Sequence, residues 1–398
     1  MEAQLAEDAE NFSRSLNSVA ERFRIIGKIG EGTFSTVYKA EDLHYHLFDN
    51  SWDLDRTPAK RRAESNAEPQ TAKKLKKSQE GNERRRKLVA IKRIYVTSSP
   101  QRILNELVLL HTLSQCKAIA PLITAFRDQD QVVAVLPYCK HSDFRSFYRE
   151  LHISEWKYYL KSIFTALEHV HENGILHRDV KPTNFLYDIS KRRGVLVDFG
   201  LAECEALESE HCACRKHGDS LRQFVDRQPT GGYLKNDNRP GRRANRAGTR
   251  GFRAPEVLLK CLNQTTKIDT WSVGVIMLSF LAKRFPFFNS ADDIDAMIEI
   301  ATIFGKPKMA AGAKLHGATF DSTIPTIPDV PFQFEDIAVW AITGGAEDSD
   351  LTASLRQTYT TDENYTQAFD LLRCCLEIDF RKRISAAEAL EHPFLVDV

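Results

Sequence analysis

A chain of 398 residues, 42% hydrophobic and 27% charged, is long enough to bury a sizeable core, as one large two-lobed unit or as two to three domains. Its 55 Lys and Arg nearly balance 54 Asp and Glu, and a formal charge of +1 excludes a whole-protein field built for polyanions, so any electrostatic function is local. The longest conspicuous apolar run, Trp271 to Ala282, fits a buried core helix and is too short to span a bilayer, so no membrane association is expected. The acidic start MEAQLAEDAENFSRSL lacks a basic-then-apolar signal pattern, which points to the cytoplasm or nucleus. Eight cysteines, most of them in or beside apolar segments, fit a reducing compartment better than a disulfide framework.

In chain order, Phe23 to Lys39 alternates apolar and polar residues around a Gly-rich turn, and a strand pattern resumes only at Leu88-Val89-Ala90-Ile91-Lys92. A sheet is interrupted there by a polar insertion over residues 44–87, which carries twelve Lys/Arg against four Glu between Arg56 and Lys87 and is expected to be solvated and disordered. Gln101 to Leu113 has helical spacing around Glu106, the only carboxylate between Tyr95 and Phe126. Val132 to Tyr138 reads as a buried strand running into a linker between a small sheet-rich lobe and a helical one. Trp156, Tyr159, Leu160, Ile163, Phe164, Leu167 and Val170 mark one face of a helix that stops at Gly174. A second polar insertion lies between Gly200 and Gly248, over residues 204–246; beyond Trp271 the pattern is helical, with a Pro-rich break from Ile324 to Phe332.

The chemistry sits in His177-Arg178-Asp179-Val180-Lys181-Pro182-Thr183-Asn184, where a carboxylate, an ammonium and an amide occur at fixed offsets in one loop. These groups suit receipt of a hydroxyl proton by Asp179, neutralisation of a transferred phosphoryl group by Lys181 and retention of a metal by Asn184. Asp198-Phe199-Gly200 follows after an apolar strand, and Asp198 is the second ligand expected for Mg²⁺, a hard cation suited to oxygen. Upstream, Gly30 and Gly32 form a turn able to approach phosphates, with Ser35 in place of a third glycine. Alone that string is as good a hairpin turn, and Lys92 alone a surface lysine; Glu106 is the partner expected to aim Lys92 at the α- and β-phosphates of ATP, in a pair that forms when its helix swings in.

With Ala254-Pro255-Glu256 added, these landmarks run in order from Phe23 to Phe394, and the chain resembles a eukaryotic Ser/Thr protein kinase. The resemblance implies an α+β, two-lobed kinase fold: a β-rich N-lobe over 23–136 behind an extension over 1–22, then a hinge and helical C-lobe over 137–398. It implies ATP contacts from Ile29, Gly30, Gly32, Val37, Ala90, Lys92, Leu136, Tyr138, Cys139, Asn184 and Asp198, with Pro137 in the hinge and Asp143 near the ribose. It also implies that Asp269 holds the catalytic loop and that Glu256 pairs with Arg383. The stretch ANRAGTRGFRAPEVL, then Lys260-Cys261 and Gln264 to Asp269, is most similar to the cell-division-cycle-seven kinases in their fungal form. That family implies a nuclear kinase of cell division and DNA replication, gated by a regulatory subunit of the dumbbell-former-four type and acting on the minichromosome-maintenance helicase. The chain departs from that family's pattern at the third insertion, which is short or absent here, since Gly305 to Ala368 leaves no room for a long extra segment. A partner-binding pseudokinase scaffold is the alternative, opposed by survival of Lys92, Glu106, Asp179, Asn184 and Asp198.

Arg250 and Arg253 flank Gly251-Phe252, with Arg242, Arg243 and Arg246 upstream, a cluster that favours a carboxylate or phosphate on the substrate. Ser or Thr followed by Asp, Glu or a phosphorylated residue is therefore the expected target, read mainly by Arg253, the alternative being arginines that only solvate the loop; Thr249 beside them is expected to touch Asp179 and Lys181. Cys204, His211, Cys212, Cys214 and His217 are candidates to circle one zinc ion, the alternative being free loop cysteines. Lys60-Arg61-Arg62 and Lys73 to Lys77 suit a nuclear address, with a nucleic-acid contact or a solvated tether as the alternatives, and their lack of interleaved aromatics speaks against sequence-specific nucleic-acid binding.

Overall fold

The structure, a computed structural model, describes residues 21–32, 34–48, 50–53, 87–128, 130–205, 212–216, 218–227, 247–347 and 349–398. The chain divides into two compact units, Met1–Cys139 and Lys140–Val398.

Unit 1 contains β1 (Phe23–Glu31), β2 (Ser35–Asp42), β3 (Leu88–Ile94), helix α1 (Pro100–Thr112), β4 (Thr124–Asp128) and β5 (Gln131–Pro137). The strands form one antiparallel sheet in the order β1-β2-β3-β5-β4. Period-two alternation assigns the faces: Tyr38, Ala40, Val89, Ile91, Val133 and Val135 are buried together with Phe23 on one side. The register pairs Val37 with Lys92 and Ala90 with Leu136, so these residues share the opposite face. Helix α1 begins where Pro100 takes the first position and Ser99 accepts from the Arg102 amide at 3.3 Å.

β2 and β3 pair directly although residues 43–87 intervene. The start of that insertion is folded, which corrects the expectation of a solvated stretch from residue 44 onward. Tyr45–Leu47 makes a 3₁₀ turn, the Tyr45 hydroxyl donates to Asp53 at 2.7 Å, and Lys87 reaches the same Asp53 carboxylate at 2.8 Å from the far end. Lys87 also lies 4.6 Å from the Tyr45 ring centre, so an aromatic and an ion pair clasp the two ends of the loop together. The basic runs at 60–62 and 73–77 lie outside the described residues, as do His211, His217, Arg242, Arg243, Arg246 and residues 1–20.

Unit 2 is mostly helical. Helix α2 (Ile153–Glu172) buries the predicted stripe of Trp156, Tyr159, Leu160, Ile163, Phe164, Leu167 and Val170, and the chain leaves it through Gly174 at φ +66°. Short strands follow: β6 (Ile175–Leu176), β7 (Phe185–Asp188), β8 (Arg193–Leu196) and β9 (Glu203–Cys204), with β6 paired to β9 and β7 to β8. Then come α3 (Gly218–Asp226), α4 (Lys267–Leu281), α5 (Asp293–Leu315), α6 (Phe334–Thr343), α7 (Asp350–Thr361) and α8 (Glu363–Cys375). Helix α4 carries the long apolar run and is buried at every position after Lys267, as a helix apolar on all sides must be. Phe280 on α4 meets Trp156 and Tyr159 of α2 at ring separations of 5.3 Å each. Gly274 lets α8 approach, since a Cβ there would fall 2.7 Å from the Leu376 side chain. Among the described residues no helix is long and apolar enough to cross a membrane.

Candidate active site

In unit 1 the half-buried sheet face carries Val37, Ala90 and Leu136, with Gly30 opposite Val37 and Lys92 on the same line. Ile29 is exposed just before the glycine turn, where the Gly32 amide donates to the Ser35 carbonyl at 2.9 Å. Lys92 and Glu106 form a buried ion pair at 2.5 Å, the lysine projecting from β3 and the glutamate from the inner side of α1. Removing either partner strands the other charge in a dry setting, so the pair fixes how α1 sits against the sheet. Tyr138 carries Lys39 over its ring at 4.4 Å, and Cys139 is half-buried at the end of the unit.

In unit 2 the His177–Asn184 loop is fastened from α4. Asp269, fully buried, accepts the His177 and Arg178 amides at 2.8 Å each, with His171 Nε2 at 3.0 Å. Burial works to raise its pKa, but the His171 contact and the donated amide outweigh it and the carboxylate stays below its usual range. His177 accepts from the Asp179 amide through Nδ1 at 3.3 Å, which leaves Nε2–H to donate to the Val197 carbonyl at 3.1 Å, and its ring packs on Phe199.

Asp179 is the centre of this network. One carboxylate oxygen accepts from the Thr249 amide at 2.9 Å and hydroxyl at 2.7 Å; the other receives Lys181 Nζ at 2.7 Å and the Asn184 amide nitrogen at 3.0 Å. Lys181 also reaches the Thr249 hydroxyl at 2.8 Å. Because the Asn184 nitrogen is committed to Asp179, its amide oxygen is the end available to a cation. Asp198 is exposed and held at φ +67°, a left-handed conformation that a non-glycine residue adopts at some cost. Asp143 caps its own short helix, accepting from the Arg145 amide at 2.9 Å.

The loop after Ala247 is set by Gly248, at φ +96°, where a Cβ would fall 2.3 Å from the Arg178 carbonyl. Arg253 donates to the Gly248 carbonyl from Nε at 3.0 Å and from Nη2 at 2.6 Å, and its Nη1 meets Asp293 at 2.5 Å. Arg250 is exposed. Together with Thr249, Gly251, Phe288 and Ser290 these arginines line a depression of about 480 Å³. Below it, Glu256 and Arg383 make a bidentate pair at 2.6 and 2.9 Å, both almost wholly buried.

The cysteines cluster differently from the expectation. Cys212 and Cys214 are buried, but they meet Cys261 and His316: Cys261 lies 3.6 Å from Cys212 and 3.7 Å from Cys214, and His316 Nδ1 lies 3.7 Å from Cys212. All four ligand atoms fall within 4.8 Å of one another, a set able to hold a metal. Cys204 is exposed on β9 and is not a member. Hydrogen bonds from its two sulfur neighbours push the Cys212 pKa down, whereas Cys214, facing Cys212, is pushed up to about 11. Sequence reading missed Cys261 and His316 because neither is near the Cys-x-Cys in the chain; the signal was the Lys260-Cys261 pair, noticed there only as a family mark.

A carboxylate, an ammonium and an amide gathered on one loop, with a second carboxylate two strands further on, are the kinds of group that phosphoryl transfer by a protein kinase requires. The protein kinase domain model matches residues 76–395, beginning inside the basic insertion, so β1, β2 and the glycine turn lie upstream of the match. Over 98% of its length the chain is 48% identical to the cell cycle serine/threonine-protein kinase hsk1 of Schizosaccharomyces pombe, spanning 75% of that protein. It is 39% identical over 98% of its length to a cell division control protein 7 homolog of Encephalitozoon cuniculi, spanning 96% of it. The cell division cycle 7-related protein kinase of Homo sapiens is 27% identical over 83% of the chain and 73% of that protein. The chain belongs to the protein kinases, and among them to the cell-division-cycle-7 family of Ser/Thr kinases.

Proposed function

We propose that this chain is the catalytic subunit of a kinase that helps initiate DNA replication, transferring the γ-phosphate of ATP to Ser or Thr followed by an acidic or phosphorylated residue. The observation that carries the chemistry is the saturated network on Asp179, in which Thr249 fixes one carboxylate oxygen while the other faces Lys181. In the reaction the substrate hydroxyl attacks the γ-phosphorus, the bond to the ADP oxygen breaks, and the hydroxyl proton passes to Asp179. Lys181 neutralises the transferred group, and Lys92, aimed by Glu106, binds the α- and β-phosphates. Gly30 and Gly32 approach the phosphates through their backbone, and Ile29, Val37, Ala90, Leu136, Tyr138 and Cys139 contact the rest of the nucleotide. Asn184 and Asp198 are the oxygen donors for Mg²⁺, which when bound neutralises charge developing on the β- and γ-phosphates.

Arg253 and Arg250 are the readers of the acidic residue. Arg253 gives three of its five N–H groups to Gly248 and Asp293, and Arg250 is exposed beside it. The Cys212, Cys214, Cys261 and His316 set is proposed to hold zinc. Four ligands at tetrahedral angles with Zn–S near ~2.3 Å place sulfurs about 3.8 Å apart, close to the spacings seen.

A regulatory subunit of the dumbbell-former-four type, acting on helix α1, is the proposed activator, and helicase subunits are the proposed substrates. Leu104 and Val108, 56% and 52% exposed on α1, support a partner on that helix. The basic insertion supports nuclear import. Phosphate transfer from Mg-ATP to an acidic Ser peptide, by the chain alone and with the activator, tests the reading. Activity that appears or rises strongly with the activator is expected, and no activity in either arm would favour a scaffold.

A further inference from the structure

Arg178 is a buried cation that the catalytic chemistry does not use. Its side chain is 2% exposed, and its Nη1 meets the Glu203 carboxylate at 2.5 Å, while Nη2 lies 3.5 Å from the Gln264 amide oxygen. Burial depresses its pKa, Glu203 and Asp269 pull it back up, and Arg253 adds to the depression, so the guanidinium depends on the anions around it. Glu203 suits that task because its carboxylate is half exposed, 53% by side chain, and keeps water on its outer side. Its place is fixed by strand pairing: Glu203 on β9 sits opposite Leu176 on β6, two residues before Arg178.

The backbone of Arg178 has little freedom to spare. It stands at φ +69°, its amide is bound to Asp269, and its carbonyl abuts Gly248, directly before Asp179 and Thr249. A guanidinium deprived of its anion would turn toward water and pull on this backbone, displacing Asp179 from the geometry its four hydrogen bonds define. In kinases switched by phosphorylation, the anion that orders the activation segment is a phosphate paired with arginine.

We propose that Glu203 is the permanent anion of this kinase, a positioning residue that holds Arg178 and through it the Asp179 loop, so that activity needs no phosphate on the activation segment. The inference rests on Asp179 being the base, and Asp179→Asn serves as the separate control for that reading.

The test uses the full chain, with its activating subunit wherever the chain alone is inactive, after phosphatase treatment checked by intact mass. Dephosphorylated wild type should keep its kcat. Glu203→Gln should lower kcat about tenfold with KM for ATP within about twofold, and Glu203→Asp should recover most of the loss. On an Arg178→Met background, Glu203→Gln should change kcat by less than about twofold, since no buried cation remains to be held. Wild-type kcat in Glu203→Gln, an equal loss on both backgrounds, or loss of wild-type activity on dephosphorylation would each overturn the proposal. Activity surviving in Asp179→Asn would instead sink the assignment of the base and leave the Glu203 results to be judged by their own coupling.

Discussion

Arg253 illustrates how one side chain serves structure and recognition together. Because it holds the Gly248 carbonyl, Arg253→Ala should slow turnover of every peptide; because it is a proposed reader, the loss should be larger by about tenfold on Ser-Asp than on Ser-Ala peptides, an increment near ~1.4 kcal/mol. Equal losses on both peptides would assign it to loop support alone. The Glu256–Arg383 pair makes a contrasting case, since it touches no proposed substrate. Arg383→Ala leaves a buried carboxylate without its partner and should cost roughly 3–5 kcal/mol in urea unfolding, while replacing both residues by apolar side chains of similar volume should cost much less. Comparable destabilisation in the double variant would mean that packing around Trp271, 5.1 Å from the guanidinium, carries the effect.

Elements whose chemistry is local were legible in the sequence; those closed by distant partners were not. The stripe on α2, the run on α4 and the alternation in β1 to β3 each follow from periodicity over a few turns or strands, so their type and faces could be read directly. The Lys92–Glu106 pair was legible because only one carboxylate was available on α1. The cysteine and histidine cluster was half legible: Cys212 and Cys214 announce themselves, but Cys261 arrives from the turn after Pro255–Leu258 and His316 from the end of α5, contacts that no spacing rule encodes. Metal analysis of the purified chain should find about one zinc per molecule. Cys261→Ser and His316→Ala should lower that content and Tm, and Cys204→Ser should leave both unchanged. Zinc retained in Cys261→Ser and lost in Cys204→Ser would restore the grouping expected from the sequence. The clasp of Tyr45, Asp53 and Lys87 was hidden too, because its halves stand at the two ends of the insertion, more than thirty residues apart.

At the scale of the whole molecule, the clasp brings Asp53 and Lys87 together and so permits a test of whether residues 54–86 are needed for catalysis. A chain with Asp53 joined to Lys87 by a short Gly-Ser linker should keep kinase activity within about twofold while losing nuclear accumulation, since loop length changes closure entropy only slowly. Loss of activity on that deletion would give the insertion a catalytic or docking role. The order of landmarks along the chain disclosed the kinase fold as a whole, because phosphoryl transfer demands the same few groups wherever they are placed. The identity of the anion on Arg178 was out of reach until β9 was seen beside β6. The most direct measurement is labelled-phosphate transfer from Mg-ATP to paired Ser-Asp and Ser-Ala peptides, by wild type and Asp179→Asn, each with and without the activating subunit. Activator-dependent labelling by the wild type that favours Ser-Asp by about tenfold or more is expected, with a fall of at least ~100-fold in Asp179→Asn. Labelling that survives in Asp179→Asn, or that ignores the acidic residue, would contradict that expectation.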